Sequence, residues 1–172
     1  ALVRNLAAFS NFLTLACIES GNLVSFRKFS QDLGIAHSTI AEYYRILESC
    51  MIVKRFDPIT SSSTRKRLTK SSKFILFDLG IRRVGAAEGT QLSQEKMGQL
   101  FEQWVGLQLN QLSLPQPTSV HFWRDHNGPE VDWIIKTPNA LYPIEVKWKQ
   151  HVTQKDAHHL ITFMNEYPSS KQ

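Results

Sequence analysis

Asp132, Glu145 and Lys147 are the residues of this 172-residue chain whose types and spacing could do chemistry. The run Gly128-Pro-Glu-Val-Asp-Trp-Ile-Ile-Lys-Thr-Pro-Asn-Ala-Leu-Tyr-Pro-Ile-Glu-Val-Lys147 predicts an apolar strand carrying one acidic residue, a turn, and a second apolar strand carrying Glu-x-Lys. Side chains alternate along a strand, so Glu145 and Lys147 share one face and Val146 takes the other. Folding at Thr137-Pro-Asn-Ala140 brings Asp132 alongside them. Val131, Trp133, Ile134, Ile135, Ile144, Val146 and Trp148 mark these strands as core, and an unpaired charge in a core is expensive. Metal-assisted phosphodiester chemistry gives such charges a reason. Asp132 and Glu145 can hold Mg²⁺ through hard oxygen ligands, leaving positions for water and phosphate. The metal lowers the pKa of a bound water and polarises the phosphate, while Lys147 orients that water or offsets charge on the phosphorus. An ion pair at a hairpin edge is the plainer reading, because Glu-x-Lys is common in exposed strands.

Other elements must bring these residues together. Periodicity predicts a helix over Gln94–Leu112 with Met97, Leu100, Phe101, Trp104, Val105, Gln108 and Leu109 on one broad face. Glu102 lies beside that stripe, as a surface glutamate or as a fourth member reaching the acidic cluster from above. Leu114-Pro-Gln-Pro117 ends the helix. Val120–Arg124 reads as a strand, with a tight turn over Asp125–Gly128 and an Arg124–Glu130 pair across the hairpin. A helix near Gln154–Glu166 follows, with Leu160, Phe163 and Met164 apolar.

The first half reads as a winged helix-turn-helix. Leu2, Leu6, Phe9, Phe12, Leu13, Ala16 and Cys17 keep helical spacing up to Gly21-Asn22. Ser25 opens a second helix with Phe26, Phe29 and Leu33 inward and Gly34 just past its end. Ile35–Ser38 makes the turn, and Thr39–Glu48 forms the third helix. Met51–Phe56 and Lys73–Phe77 are strands around a polar tract. Ser38, Thr39 and Arg45 lie on the expected exposed face of the third helix. Arg65, Lys66, Arg67 and Lys70 form a basic cluster suited to DNA phosphates, or else a solvated hairpin tip. The segment Asp78–Ser93 reads as a connector with a short helix at Ile81–Ala87. The expected domains are 1–83 and 84–172, and the fold class is α+β.

Lys and Arg number 20 against 15 Asp and Glu, a net charge of +5, and the pI is about 9.3, which favours a polyanionic partner. Cys17 and Cys50 read as buried free thiols in a reducing compartment, placing the protein in the cytoplasm, with a disulfide between them as the lesser alternative. No apolar run is long enough to span a bilayer. The histidines form no zinc motif, and no Gly-x-x-x-x-Gly-Lys-Ser/Thr loop occurs in these residues. The start at Ala1, without Met, leads us to expect a piece of a longer protein.

Asp132, Glu145-Val-Lys147 and a preceding helix bearing Glu102 resemble the PD-(D/E)xK restriction-endonuclease-like superfamily. Gly98-Gln-Leu-Phe-Glu-Gln-Trp-Val105, Phe122-Trp-Arg124, Glu130-Val-Asp-Trp133 and Ile144-Glu-Val-Lys147 resemble, within it, the uncharacterised domain that follows an AAA-type P-loop ATPase in many bacterial and archaeal proteins. The resemblance covers most of the chain. It implies a winged helix followed by an α/β nuclease-like domain, here expected to lack its last strand. It implies Mg²⁺ at Asp132 and Glu145, DNA and the ATPase domain of the same parent chain as partners, and ATP bound only in that parent. Where relatives often carry an acidic residue, this chain has Gln108. Two function classes follow: a metal-dependent nuclease attached to a DNA-handling ATPase, or a non-catalytic nucleic-acid or protein-interaction module with a degenerate nuclease fold.

Overall fold

The structure, a computed structural model, describes residues 5–60, 68–112, 117–125, 128–168 and 170. Its elements run α1 (Leu6–Ile18), α2 (Phe26–Leu33), α3 (His37–Ser49), β1 (Val53–Phe56), β2 (Lys73–Leu76), α4 (Leu79–Gly85), α5 (Gln94–Gln111), β3 (Ser119–Arg124), β4 (Glu130–Lys136), β5 (Leu141–Ile144), a 3-10 turn (Gln154–Ala157) and α6 (His158–Glu166). This is a mixed α+β chain. It divides into two compact units, Ala1–Arg55 with Ser71–Leu92, and Phe56–Lys70 with Ser93–Gln172.

In the first unit the local signals act as their chemistry requires. Asn5 caps α1 by accepting the Ala8 N–H, and Ser25 caps α2 by accepting the Lys28 N–H. Gly34 closes α2 at φ 66°, the left-handed conformation that glycine adopts without strain. Helix α3 starts at His37, two residues before the expected Thr39, with Ala36 at the cap. Its end uses a left-handed cap built on a side-chain-bearing residue: Met51 has φ 58°, and the Ile52 N–H reaches back to Leu47 O at 2.9 Å. Met51 is therefore not part of β1, and it is 82% exposed.

Phe12, Phe29, Ile40, Tyr43, Tyr44, Leu47 and Phe74 form the core of this unit. Tyr44 is its centre, 4.1 Å from the Phe74 ring and 5.0 Å from that of Phe12 between centroids. Burying each such ring contributes about 1.5–3 kcal/mol. Leu6, expected inward, is exposed, and Leu2 lies outside the described residues. Cys17 is buried and Cys50 exposed, so only one of the two thiols is a core group. Burial raises the Cys17 pKa, with the nearby Arg82 charge opposing.

The stretch expected to be a mere connector holds the end of α1. Arg82, on α4, is 2% exposed. It donates to the carbonyls of Cys17 and Ile18 at 3.0 and 3.4 Å, and pairs with Glu88 at 2.5 Å. A cation there satisfies carbonyls that the last helical turn leaves open.

In the second unit β3, β4 and β5 form an antiparallel sheet in that order. Arg124 sits opposite Glu130 in register and pairs with it at 2.9 Å, as the sequence predicts. Trp123, Val131, Ile134, Phe163 and Tyr167 pack with Ile59 as the core. The tract 56–70 was expected to be the wing of the first half. It clusters instead with this unit because its backbone joins β3: Ile59 N–H donates to Phe122 O at 2.8 Å and Thr69 N–H to Arg124 O at 3.2 Å. Residues 84–92 cluster with the first unit. Among the described residues no helix is long and apolar enough to cross a membrane.

Candidate functional site

The site is built where β4 departs from regular pairing. Between the pairs His121–Ile134 and Trp123–Val131, β3 has only Phe122 while β4 has both Asp132 and Trp133. This extra residue is a β-bulge, a local break that re-aims side chains. Four consecutive residues, Val131 to Ile134, are buried, Asp132 among them beside the three expected in the core.

Trp133 is fully buried, and its indole enters the face of α5 at Gly106. A Cβ at position 106 would stand 2.2 Å from Trp133 Cζ2, so only glycine admits the ring. Trp133 Nε1 then donates to the Glu102 carbonyl at 3.0 Å. This contact turns α5 from the orientation expected. Gln103, Gly106 and Leu107 are its buried residues, while Trp104 is half exposed and Gln108 exposed.

Strand β5 ends at Ile144, so Glu145 and Lys147 lie just past it and not within it. Asp132 is the reason. Its Oδ2 accepts the Val146 N–H at 2.8 Å, replacing a ladder bond with a side-chain one. Lys147 Nζ donates to Glu145 Oε1, so the two side chains meet. The Glu145 side chain is only 8% exposed, and among the described residues its Oε2 has no hydrogen-bond partner. Burial pulls the Lys147 pKa down. The hydrogen bond and charge of Glu145, with the charges of Asp132 and Asp156, outweigh this and hold it above the ordinary lysine value.

Asp132, Glu145, Lys147 and Glu102 all line one open depression of about 340 Å³, together with Glu95, Glu130, Trp148 and His159. A second hollow of about 720 Å³ shares Glu145, Lys147 and His159 and continues along Gln154–His158 and Ile161. Its rim is fixed by a capping box, in which Asp156 takes the Thr153 N–H and hydroxyl at 2.7 and 2.8 Å. The hydrogen bond from Lys149, followed by those from Thr153, holds the Asp156 carboxyl well below the usual carboxylate range.

The donor set can be weighed against Mg²⁺. Two carboxylates, one with a buried unpartnered oxygen, suit a hard cation that keeps water and phosphate in its remaining positions. Among the described residues no group of three or more His, Cys, Asp or Glu is placed to cage a metal. A cation in this depression would have two of the expected carboxylate ligands, Asp132 and Glu145. Sequence reasoning missed Gly106 and the bulge; the glycine inside a helical pattern was a signal, but the bulge left none.

The expected DNA-contacting residues fall in different places. Ser38 is exposed and Thr39 half-buried on α3. Arg45 is exposed and pairs with Glu42 one turn earlier at 2.6 Å, a surface pair of little energetic weight. Lys70 is exposed and belongs to the second unit. Arg65, Lys66 and Arg67 lie outside the described residues.

Residues 1–93 match a family described as a domain of unknown function, DUF8612, and the chain belongs to that family. Residues 97–172 match a second, the domain of unknown function DUF4143, which is found in AAA ATPase-associated proteins. No curated protein and no solved structure matches the chain.

Proposed function

We propose that this member of the DUF8612 family is part of an AAA-type ATPase that handles DNA in the cytoplasm. In this reading the first unit is a DNA-binding winged helix, and the second is a PD-(D/E)xK nuclease-like domain that hydrolyses phosphodiesters. One observation carries the reading: Asp132, Glu145 and Lys147 meet in a single depression, with Glu145 Oε2 buried and unpartnered among the described residues. A buried carboxylate oxygen without a partner is costly, and a ligand that fills the depression would remove that cost.

Asp132 and Glu145 would hold Mg²⁺. When bound, the cation would supply Lewis acidity and a water of lowered pKa. Lys147 stays protonated beside two carboxylates and offsets negative charge on a phosphate oxygen. Glu102 faces the same depression and can hold a water by accepting its proton in a hydrogen bond. Trp133 and Gly106 fix the backbone of α5 at that point. Ser38, Thr39 and Arg45 on α3 would enter the major groove of DNA, and Arg65, Lys66, Arg67 and Lys70 in the basic tract would contact its phosphates. ATP would bind in the ATPase domain of the parent chain, since these residues contain no phosphate-binding loop.

The lack of a three-residue metal cage among the described residues favours a second reading, a non-catalytic binding module in which Lys147 neutralises Glu145. Cleavage assays on the full-length protein with Mg²⁺ or Mn²⁺ separate the two. Cleavage that needs the metal and disappears in Asp132→Ala and Lys147→Ala supports the nuclease. Full-length protein that leaves DNA and RNA intact under both metals is the module.

A further inference from the structure

We infer that Phe101, Trp104 and Trp148 form a stacking platform for an unpaired nucleobase beside the Asp132–Glu145–Lys147 cluster, so that the substrate class of this site is single-stranded or locally unpaired nucleic acid. The substrate assignment rests on the phosphodiester reading above; the platform itself rests on the aromatic geometry.

The four tryptophans divide into two pairs. Trp123 and Trp133 are completely buried, whereas Trp104 and Trp148 are 50% and 45% exposed. Trp148 was expected in the core on sequence grounds, and the early end of β5 turns it outward. Both exposed rings are held by a third. Phe101 stacks on Trp104 at 5.9 Å and 12°, and meets Trp148 at 5.3 Å and 59°. Large rings fixed in place yet open to water lose little entropy on gaining a stacking partner.

Position selects the partner. Trp148 follows Lys147 directly and lines the same depression as Asp132, Glu145 and Glu102. An apolar protein surface laid over the rings would also desolvate that charged cluster, which is unfavourable. A nucleotide presents both chemistries at the right separation of roles: a flat base for the rings and a phosphate for Lys147. The five carboxylates that line the depression, Glu95, Glu102, Glu130, Asp132 and Glu145, oppose a polyanion until a cation offsets them, which is why the assay below carries Ca²⁺. Aromatic stacking of this kind tolerates any base but requires its face to be free, which a duplex does not offer.

The test uses the whole chain with a 12-nucleotide single strand and a duplex of the same sequence, in Ca²⁺. The expected result is tryptophan quenching by the single strand and weaker binding of the duplex. Trp148→Ala should weaken single-strand affinity roughly tenfold, Trp148→Phe should keep most of it, and Trp104→Ala should have a smaller effect. Because both rings are half exposed, thermal unfolding of these variants checks that the fold is intact. Equal single-strand affinity in Trp148→Ala and the parent, a preference for duplex, or no oligonucleotide binding would overturn the platform. So would concentration-dependent self-association that Trp148→Ala abolishes without changing oligonucleotide binding. Cleavage measured in parallel keeps the two readings apart. Asp132-dependent cleavage unchanged in Trp148→Ala removes the platform and leaves the nuclease. Stacking lost in Trp148→Ala, in a protein that cuts nothing, keeps the platform and removes the nuclease.

Discussion

Asp132 Oδ2 accepts the backbone N–H of Val146 at 2.8 Å, and the regular pairing of β4 with β5 stops at Trp133 and Ile144. One carboxylate thus both terminates a strand and sets the direction in which Glu145, Lys147 and Trp148 leave it. Structure and site share a residue, so substitutions there have two separable effects.

Asp132→Ala should lower stability by about 1–3 kcal/mol, since it leaves the Val146 N–H without its acceptor. Asp132→Asn keeps an oxygen at that position and should cost less. Urea unfolding of the two variants gives the comparison; equal losses would mean that the charge, and not the hydrogen bond, holds the segment.

Titration with Mn²⁺ should show calorimetric binding in the parent and none in the Asp132→Asn, Glu145→Gln double variant. Two carboxylates brought together repel, and a divalent cation relieves that repulsion. Binding that survives the double change would place the metal elsewhere.

Gly106→Ala should destabilise the second unit by about 1–3 kcal/mol through overpacking, because the added methyl would stand 2.2 Å from Trp133 Cζ2. Combining it with Trp133→Phe should recover part of the loss by shortening the ring. Additive losses in the double variant would show that the two positions do not press on each other.

Met51→Gly should raise stability by about 0.5–1 kcal/mol. Met51 sits at φ 58°, where a Cβ is strained and glycine is not. Thermal unfolding of this single variant decides it, and a lower midpoint would count against the strain.

Burial lowers the His121 pKa, with Lys136 adding to the effect and the Asp57 carbonyl and charge opposing it. His121 Nδ1 lies 3.0 Å from Asp57 O and Nε2 lies 2.9 Å from Ser119 Oγ. The neutral ring satisfies both, donating to the first and accepting from the second. A depressed folded pKa means that the unfolded chain binds the proton more readily. The contribution is therefore full above the ordinary histidine value of about 6.5 and is lost as pH falls through the folded pKa. An NMR titration should place His121 below that value, and His121→Gln should flatten the fall in stability between neutral and mildly acid pH.

Much of the local structure was legible because its causes are local. Ser25 and Gly34 bound α2 by capping chemistry, α5 runs within one residue of its expected span, and Arg124 meets Glu130 across a short turn. The Glu145–Lys147 pair was legible for the same reason, its members being two residues apart. What escaped depends on partners far along the chain. Asp132 captures an N–H fourteen residues away, and Arg82 reaches carbonyls more than sixty residues back. The bulge at Asp132 and Trp133 has no glycine or proline to announce it. The exposure of Trp148 follows from the shortened strand, and that of Cys50 from its place at the end of α3.

The tract Phe56–Lys70 belongs with residues that the ribosome adds later. The first unit has all its segments once Leu92 has emerged, and it can fold then, as units synthesised first generally do. Phe56 and Ile59 cannot. Phe56 packs edge-on against Trp133 at 4.8 Å, and Ile59 sits among Trp123, Val131 and Phe163. Until those partners are made, these two large apolar side chains lack the residues they pack against. Synthesis of this protein therefore includes a stage in which Phe56 and Ile59 are already made and the residues that bury them are not.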